Sequence, residues 1–243
     1  MMHSLEILPD TDGVARATAD HLVAAGRNAI RRRGRFMLAL SGGSTPLTVC
    51  PLLVVPPRVR MLDWTKVQFF FGDERAVGPH DAESNYHAAR AALLDYLPRV
   101  KMEQVHRMRG EADDLDEAAR EYEAELRQAF GIGSGPGRPR FDLIWLGMGA
   151  DGHTASLFPG SEALSERRRW VRANWAPGLE KWRMTLTFPV LNAAREAMFV
   201  ATGAEKADAL AAIRNGEQLP AGRVRATRTR WIVDEAAAGM GGG

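Results

Sequence analysis

Residues 36–46 have the sequence FMLALSGGSTP, in which five apolar residues are followed by a loop with two glycines and by Pro46. A short, uninterrupted apolar run is typical of a strand that is covered on both faces, as in a parallel sheet. Pro46 suits the first turn of a helix, where no amide hydrogen is needed. This stretch therefore predicts a strand, a loop and a helix in succession, which is the repeating unit of an α/β fold.

The same succession recurs along the chain. The apolar runs 67–71 and 141–146 also lead into polar loops that contain glycine, at 72–75 and 147–153. Further strands are predicted at 184–188, 197–202 and 231–233, and helices at 14–33, 85–96, 115–130 and 205–214. We expect an α/β fold with a mostly parallel sheet flanked by helices. We expect a single domain over residues 1–243, with 239–243 as a flexible tail.

Residues 48–57 depart from this pattern. They include Pro51, Pro56 and Pro57 and a cluster of β-branched side chains. Proline in a helix interior removes a hydrogen bond and clashes with the preceding turn. The composition therefore predicts a poor helix at the point where the pattern requires one.

Composition excludes several classes of protein. The chain has 243 residues, and its 32 lysines and arginines nearly balance its 30 aspartates and glutamates, for a net charge of +2. That balance argues against a protein that binds nucleic acid by neutralising many phosphates. The single cysteine, Cys50, excludes an internal disulfide and fits a reducing compartment.

No apolar run approaches the roughly 20 residues that span a bilayer. The first ten residues also lack the basic region and apolar run of a signal peptide. We therefore expect a cytoplasmic protein with neither a membrane nor a nucleic acid as partner.

The loop after the first apolar run is a candidate phosphate site. Its glycines allow several backbone amides to point in one direction, and its hydroxyls add donors at a helix N-terminus, which favours an anion. The loop consists of Ser41, Gly42, Gly43, Ser44 and Thr45. The alternative is an ordinary turn from strand to helix. No Gly-Lys-Ser/Thr follows, so the loop is not a nucleoside-triphosphate P-loop.

Residues 147–152, GMGADG, match the G-x-G-x-x-G pattern of dinucleotide-binding loops. The match comes late in the chain, and residues 167–172 offer basic side chains where a ribose-binding carboxylate is expected. Pro159 and Gly160 would end a helix opened there. We therefore expect no nucleotide cofactor. Because no two histidines have the spacing of metal ligands, we expect no metal either.

His153 is the candidate general base. It directly follows a glycine-rich loop, and an imidazole accepts a proton at neutral pH. Asp151 lies two residues earlier; the alternative is a histidine that only holds the loop in place. Arg75 could bind an anion or stabilise an oxyanion, or form a solvated ion pair. Lys206 could reach a phosphate or be an ordinary surface lysine.

Taken together, four blocks resemble one family, the 6-phosphogluconolactonases. The blocks are LSGGSTP (40–46), FFFGDERAVGPHDAESNY (69–86), LIWLGMGADGHTASLFPG (143–160) and MTLTFPVLNAAREAMFVATGAEKADAL (184–210). They occur in the order and spacing of the family. The resemblance covers essentially the whole chain.

The resemblance implies a Rossmann-like fold of the sugar-phosphate isomerase/deaminase type. It also implies hydrolysis of 6-phospho-D-glucono-1,5-lactone to 6-phosphogluconate in the pentose phosphate pathway, without metal or cofactor. The implied substrate is a small phosphorylated sugar lactone, and the implied assembly is a monomer or homodimer.

The resemblance also implies roles for individual residues. His153 would activate water, Asp151 would help to position His153, and Arg75 would stabilise the charge that develops on the lactone. The 6-phosphate would be held by the loop 41–45 and Lys206. Asp73 and Asn85 would brace the site or contact sugar hydroxyls.

Two other functions are compatible with the same fold. Glucosamine-6-phosphate deaminases share the Asp-Gly-His element, but they have Asp-Glu-Tyr where this chain has Asp73-Glu74-Arg75. They also have a glutamate at the position of Phe158, and this carboxylate is an acid–base partner for ring opening. The other alternative is a sugar-phosphate sensor with a DNA-binding helix-turn-helix, for which the ten residues before the first helix leave no room.

Overall fold

The computed structural model describes residues 2–240, and in this range the chain forms nine strands. They are β1 (Ser4–Leu8), β2 (Phe36–Leu40), β3 (Val67–Phe71), β4 (Asp73–Arg75), β5 (Leu143–Leu146), β6 (Val171–Ala176), β7 (Lys181–Leu186), β8 (Ala197–Ala201) and β9 (Thr229–Asp234). The α-helices are α1 (Thr11–Arg33), α2 (Thr45–Leu53), α3 (Arg58–Met61), α4 (Asn85–Ala92), α5 (Leu115–Phe130), α6 (Phe188–Leu191) and α7 (Ala207–Arg214). Short 3₁₀ turns lie at Trp64–Lys66, Leu94–Tyr96, Met102–Gln104, Glu162–Ser165, Ala204–Lys206 and Ala221–Arg223.

Six of these strands form a parallel sheet in the order β1-β9-β8-β5-β2-β3. The prediction of an α/β fold with a mostly parallel sheet is thus confirmed. Side chains on β2 alternate between two apolar clusters: Leu38 packs with α1, α2 and α4, and Ala39 packs with α5 and α7. Because helices cover both faces, every residue of β2 is buried, as its unbroken apolar sequence predicts.

A second, three-stranded antiparallel sheet has the order β4-β7-β6. Here two expectations were wrong and one strand was missed. The segment 73–75, predicted as a loop, forms β4; the strand predicted at 184–188 begins at Lys181 and belongs to this sheet; and β6 was not predicted. The short strand β4 has the polar sequence Asp-Glu-Arg, so only its pairing with β7 makes it a strand.

The prediction of a poor helix at 48–57 was wrong for residues 48–53, because α2 runs from Thr45 to Leu53 with Pro51 inside it, and correct for 54–57, which lie between α2 and α3. Val49, Cys50 and Leu53 are almost completely buried and join the cluster that contains α1. Apolar burial of this kind stabilises by about 1.5–3 kcal/mol for each large side chain, which offsets the helix-breaking proline. Pro51 itself is exposed.

Other helix boundaries follow local signals. Asp114 caps α5 by accepting a hydrogen bond from the amide of Glu117, and the left-handed Gly34 ends α1 as predicted. The helix predicted at 85–96 ends earlier, at Ala92, and β1 was not predicted. Of the expected flexible tail, residues 241–243 lie outside the described range. Within residues 2–240, no helix has both the length and the apolar character needed to cross a membrane.

The position of Pro51 leads to a stability prediction. In a regular helix, residue 51 would donate its amide to the carbonyl of Leu47, and proline has no such hydrogen. We expect Pro51→Ala to raise the free energy of unfolding by about 2 kcal/mol. This is a net value: alanine is the better helix residue, but it no longer restricts the conformations of the unfolded chain as proline does. Denaturant unfolding would measure the change.

Pro46→Ala is the matched control, because Pro46 lies in the first turn of the same helix, where its missing amide has no intrahelical partner. We expect no gain in stability from it. A Pro51→Ala protein that is no more stable than the unsubstituted chain would contradict the helix described for 45–53.

Candidate active site

A cavity of about 210 Å³ lies at the carboxyl edge of the parallel sheet. The loops that follow β2, β5 and β8 open into it, together with β4. Of the sequence-predicted residues, the structure brings nine together as lining: Ser41, Gly42, Gly43, Ser44, Thr45, Asp73, Arg75, His153 and Lys206. Asp151 and Asn85 do not line it, but they hydrogen-bond to His153 and Asp73, which do. Carboxyl ends of parallel strands are the usual place for ligands in such sheets.

The glycine-rich loop leaves β2 and enters α2. Gly43 has a positive φ of 89°, which glycine adopts without strain. A side chain at Gly42 would place its Cβ 1.9 Å from Oδ1 of Asn85. The loop therefore lies directly on the Asn85 side chain, and its residues line the cavity. The amides of this loop and the start of α2 suit an anion.

His153 is held by Asp151. The Nδ1 of His153 lies 2.6 Å from Oδ1 of Asp151, and the His153 amide donates to the same oxygen at 3.0 Å. When Nδ1 carries the proton and donates it to the carboxylate, Nε2 keeps its lone pair. This arrangement leaves Nε2 as the nitrogen that can accept a proton from water.

The ionisation of Asp151 fits this pairing. Burial raises the pKa of the Asp151 carboxyl, but hydrogen bonds from the imidazole and the amide of His153 outweigh it, so that the pKa lies below its usual value. Asp151 is therefore a carboxylate near neutral pH and favours the tautomer that donates from Nδ1.

Two neighbours fix the plane of the imidazole ring. A Cβ at Gly149 would lie 2.0 Å from Nδ1 of His153, so only glycine allows the ring to approach the backbone here. The ring also packs against Phe158, with 4.3 Å between the ring centroids. Phe158 is itself buried. The sequence did not indicate either contact.

Asp73 is a brace as well as a lining residue. One carboxylate oxygen, Oδ2, accepts a hydrogen bond of 2.7 Å from the hydroxyl of Ser156. The amide nitrogen of Asn85 donates to the Asp73 backbone carbonyl at 2.9 Å and to Oδ1 at 3.2 Å. Asp73 thus ties together the loop after β5, strand β4 and the start of α4.

Glu74 was missed as an organising residue. Its buried carboxylate accepts hydrogen bonds from the amides of Arg75, Asn85 and Tyr86 at 2.7–2.8 Å. Burial raises the pKa of Glu74, although these amide donors partly offset the rise. The sequence carries no signal for this contact, because Glu74 lies 11 residues before Asn85 and reaches the start of α4, which favours a carboxylate, only in the fold.

Arg75 lies beside a second arginine. Its guanidinium donates to the backbone carbonyl of Glu83, and its cross-strand partner on β7 is Arg183. Burial lowers the pKa of Arg183, and the charge of Arg75 lowers it further. Only Arg75 of this pair lines the cavity, so its guanidinium is the one placed to meet an anionic ligand.

Lys206 lies at the cavity, whereas Cys50 does not line it. Lys206 lies just before α7, and its Nζ is 3.6 Å from Oε1 of Glu205, which also lines the cavity. Cys50 is buried within α2, and burial raises the pKa of its thiol to about 12, so the thiol is inert. Among residues 2–240, no three His, Cys, Asp or Glu side chains are arranged to hold a metal ion.

Known proteins match the chain over almost its full length. A family model described as glucosamine-6-phosphate isomerases/6-phosphogluconolactonase matches residues 9–233. The 6-phosphogluconolactonase of Mycobacterium tuberculosis is 38% identical over 247 residues, which cover 98% of each chain. That of a Nostoc species is 38% identical over 214 residues, covering 88% of this chain and 85% of the relative.

Solved structures agree with this match. The 6-phosphogluconolactonase from Trypanosoma cruzi has a TM-score of 0.85 at 30% identity, covering 98% of this chain and 97% of that one. A monomeric glucosamine-6-phosphate deaminase has a TM-score of 0.79 at 19% identity, covering 98% and 99%, which shows that the two share a fold. The cavity at the carboxyl edge and the family match over residues 9–233 lead to one conclusion. The chain belongs to the glucosamine-6-phosphate isomerase/6-phosphogluconolactonase family.

Proposed function

We propose that this chain hydrolyses 6-phospho-D-glucono-1,5-lactone to 6-phosphogluconate, the lactonase reaction of the pentose phosphate pathway. The observation that carries the proposal is the pairing of His153 with Asp151 in the same cavity as a glycine-rich loop and Lys206. One end of this cavity suits a base that acts on water, and the other suits a phosphate. A phosphorylated lactone needs both.

The proposed reaction begins with a water held by Nε2 of His153. As the water oxygen attacks the lactone carbonyl carbon, its proton moves to Nε2, and Asp151 stabilises the imidazolium through Nδ1. The tetrahedral intermediate then collapses with cleavage of the bond to the ring oxygen. His153 returns its proton to that oxygen, which leaves a hydroxyl and a carboxylic acid that ionises.

Arg75 is proposed to stabilise the negative charge that develops on the carbonyl oxygen and then the product carboxylate. Asp73 and Asn85 hold the loops around it in position. The phosphate would lie against the amides and hydroxyls of residues 41–45, with Lys206 as its counter-charge. Binding at this distant group orients the lactone, and orientation alone lowers the barrier substantially.

Phe158 favours the lactonase over the deaminase. Its ring lies against His153, where the deaminase family has a glutamate. An apolar ring offers no acid–base group for opening an amino sugar. The proposed substrate is therefore the lactone.

The proposal extends to the compartment and the assembly in which the chain acts. We propose that the chain acts in the cytoplasm as a single domain, as a monomer or homodimer, with a small phosphorylated lactone as its partner. The buried, unreactive thiol of Cys50 is compatible with a reducing compartment.

A direct assay tests the choice between the two reactions. We expect rapid hydrolysis of freshly generated 6-phosphogluconolactone. The product, 6-phosphogluconate, is detected by coupling its formation to its oxidation. We expect no ammonia release from glucosamine 6-phosphate at the same protein concentration. Ammonia release without lactone hydrolysis would reverse the assignment.

His153→Ala tests the base. We expect kcat for the lactone to fall by roughly 10²- to 10⁴-fold, the usual contribution of a positioned base. Binding of 6-phosphogluconate, measured by calorimetry, should be retained, because the phosphate site is untouched. His80→Ala, at an exposed histidine outside the cavity, is the control and should keep full activity. Full activity in His153→Ala would exclude His153 as the base.

Lys206→Ala tests the phosphate site. We expect KM for the phosphorylated lactone to rise about tenfold or more, since a charge-assisted hydrogen bond is lost. KM for unphosphorylated gluconolactone should change little. Lys66→Ala, at an exposed lysine paired with Asp63, is the control. Equal effects of Lys206→Ala on both substrates would remove Lys206 from the phosphate site.

A further inference from the structure

A larger cavity, of about 720 Å³, lies at the opposite edge of the parallel sheet. Residues just before β2, β5 and β8 line it, namely Arg33, Asp142 and Glu196. Glu196 precedes β8 and Thr202 follows it, and six steps of extended chain cover about 20 Å. This amino-edge cavity is therefore well separated from the candidate active site, and the proposed function assigns it no role.

The amino-edge cavity is strongly basic although the chain as a whole is nearly neutral. Six arginines line it against only two carboxylates, and Glu6 beside it pairs with Arg230 at 3.4 Å, which leaves a formal excess of three positive charges. The arginines are Arg32, Arg33, Arg140, Arg195, Arg228 and Arg230. A net charge of +2 for the entire chain shows how local this concentration is.

The first carboxylate, Asp142, is already fully engaged. Its Oδ2 accepts the amide of Met37 at 2.9 Å, and its Oδ1 lies 2.7 Å from Nε of Arg33 and 3.3 Å from Nε of Arg195. Asp142 is buried. One charge is thus shared by two guanidinium groups and cannot neutralise both.

The second carboxylate, Glu196, is shared in the same way. Its Oε1 lies 2.6 Å from Nε2 of His21 and 3.6 Å from Nε of Arg230, and its Oε2 lies 3.1 Å from Nη2 of Arg228. Burial raises the pKa of Glu196, but the bond from His21 and the charges of both arginines lower it overall. Glu196 is therefore a carboxylate whose single charge is shared among His21, Arg228 and Arg230.

The other arginines make weaker contacts. Nε of Arg32 donates to the side-chain oxygen of Asn28 at 3.0 Å, and Nη2 of Arg140 donates to the hydroxyl of Thr227 at 3.3 Å. These acceptors are neutral, so they leave both charges uncompensated. Burial lowers the pKa of Arg195, and repulsion by the charges of Arg33 and Arg140 lowers it further, although the charge of Asp142 opposes this.

Unused donors accompany this excess charge. The buried Nε groups of Arg195 and Arg230 have no aligned hydrogen-bond acceptor among residues 2–240, although each lies within ion-pair distance of a carboxylate. Buried donors in folded proteins normally have a partner. An anion in the amino-edge cavity would supply acceptors and offset the mutual repulsion.

We propose that the amino-edge cavity binds a small polyanion that carries at least two phosphate groups. Guanidinium groups bind phosphate oxygens in bidentate fashion, and several of them around one concave space favour closely spaced phosphates over a single one. The volume lies within the range of small-ligand sites. A concave cavity on a chain with little net charge does not favour a long nucleic acid.

Calorimetry with inorganic pyrophosphate tests the proposal on the full chain. We expect one pyrophosphate to bind per amino-edge cavity, more tightly than inorganic phosphate and more weakly as ionic strength rises. Arg32→Gln combined with Arg140→Gln should weaken binding at least about tenfold, because charge-assisted bonds are lost while neither buried carboxylate loses an arginine.

Two controls separate this site from other sources of binding. Arg16→Gln combined with Arg120→Gln removes the same charge from exposed positions outside the amino-edge cavity and should leave pyrophosphate affinity unchanged. Lys206→Ala should also leave it unchanged, which excludes binding in the candidate active site. Thermal melting of each variant should match that of the unsubstituted chain.

The alternatives give different results. If the Arg32/Arg140 and Arg16/Arg120 double variants lost equal pyrophosphate affinity, the effect would come from the overall charge of the chain, and the proposal would be overturned. Citrate that binds more tightly than pyrophosphate would overturn its assignment to phosphates. Binding of single-stranded RNA without binding of pyrophosphate would overturn its assignment to a small ligand.

Discussion

Six strands that all run in one direction are the constraint on which the rest of the molecule depends. Because the sheet is parallel, every loop that follows a strand leaves at one edge, and every segment that precedes a strand arrives at the other. The candidate active site therefore draws on segments more than a hundred residues apart, from Ser41 to Lys206. The same geometry gathers the arginines at the amino edge.

The loops of the candidate active site are connected by a carboxylate that takes no part in the proposed reaction. Glu74 binds the amides of Arg75, Asn85 and Tyr86, and so connects β4 to the first turn of α4. Through Asn85 this connection extends to Asp73 and to the glycine-rich loop. A buried acceptor that engages several donors is costly to disturb, and it keeps these loops in one arrangement.

The sequence predicted what local patterns specify and missed what long-range contacts specify. The strand 36–40 and the loop after it follow from a short apolar run and two glycines, and they were predicted correctly. Strand β4 exists only because β7 pairs with it, and α2 exists because Val49 and Leu53 are buried by distant residues. Likewise, the sequence placed Asp151 beside His153 but gave no sign that Phe158 would lie against the imidazole ring.

The shape of the candidate active site also depends on two residues without a side chain, Gly42 and Gly149. At each position a single added carbon would overlap a polar side chain, Asn85 in one loop and His153 in the other. Neither position can drift to alanine without moving a residue on which the site depends. We therefore expect homologues to vary less at these two positions than at the charged ones. Another long side chain can replace part of a lysine or arginine, whereas every residue other than glycine adds a Cβ.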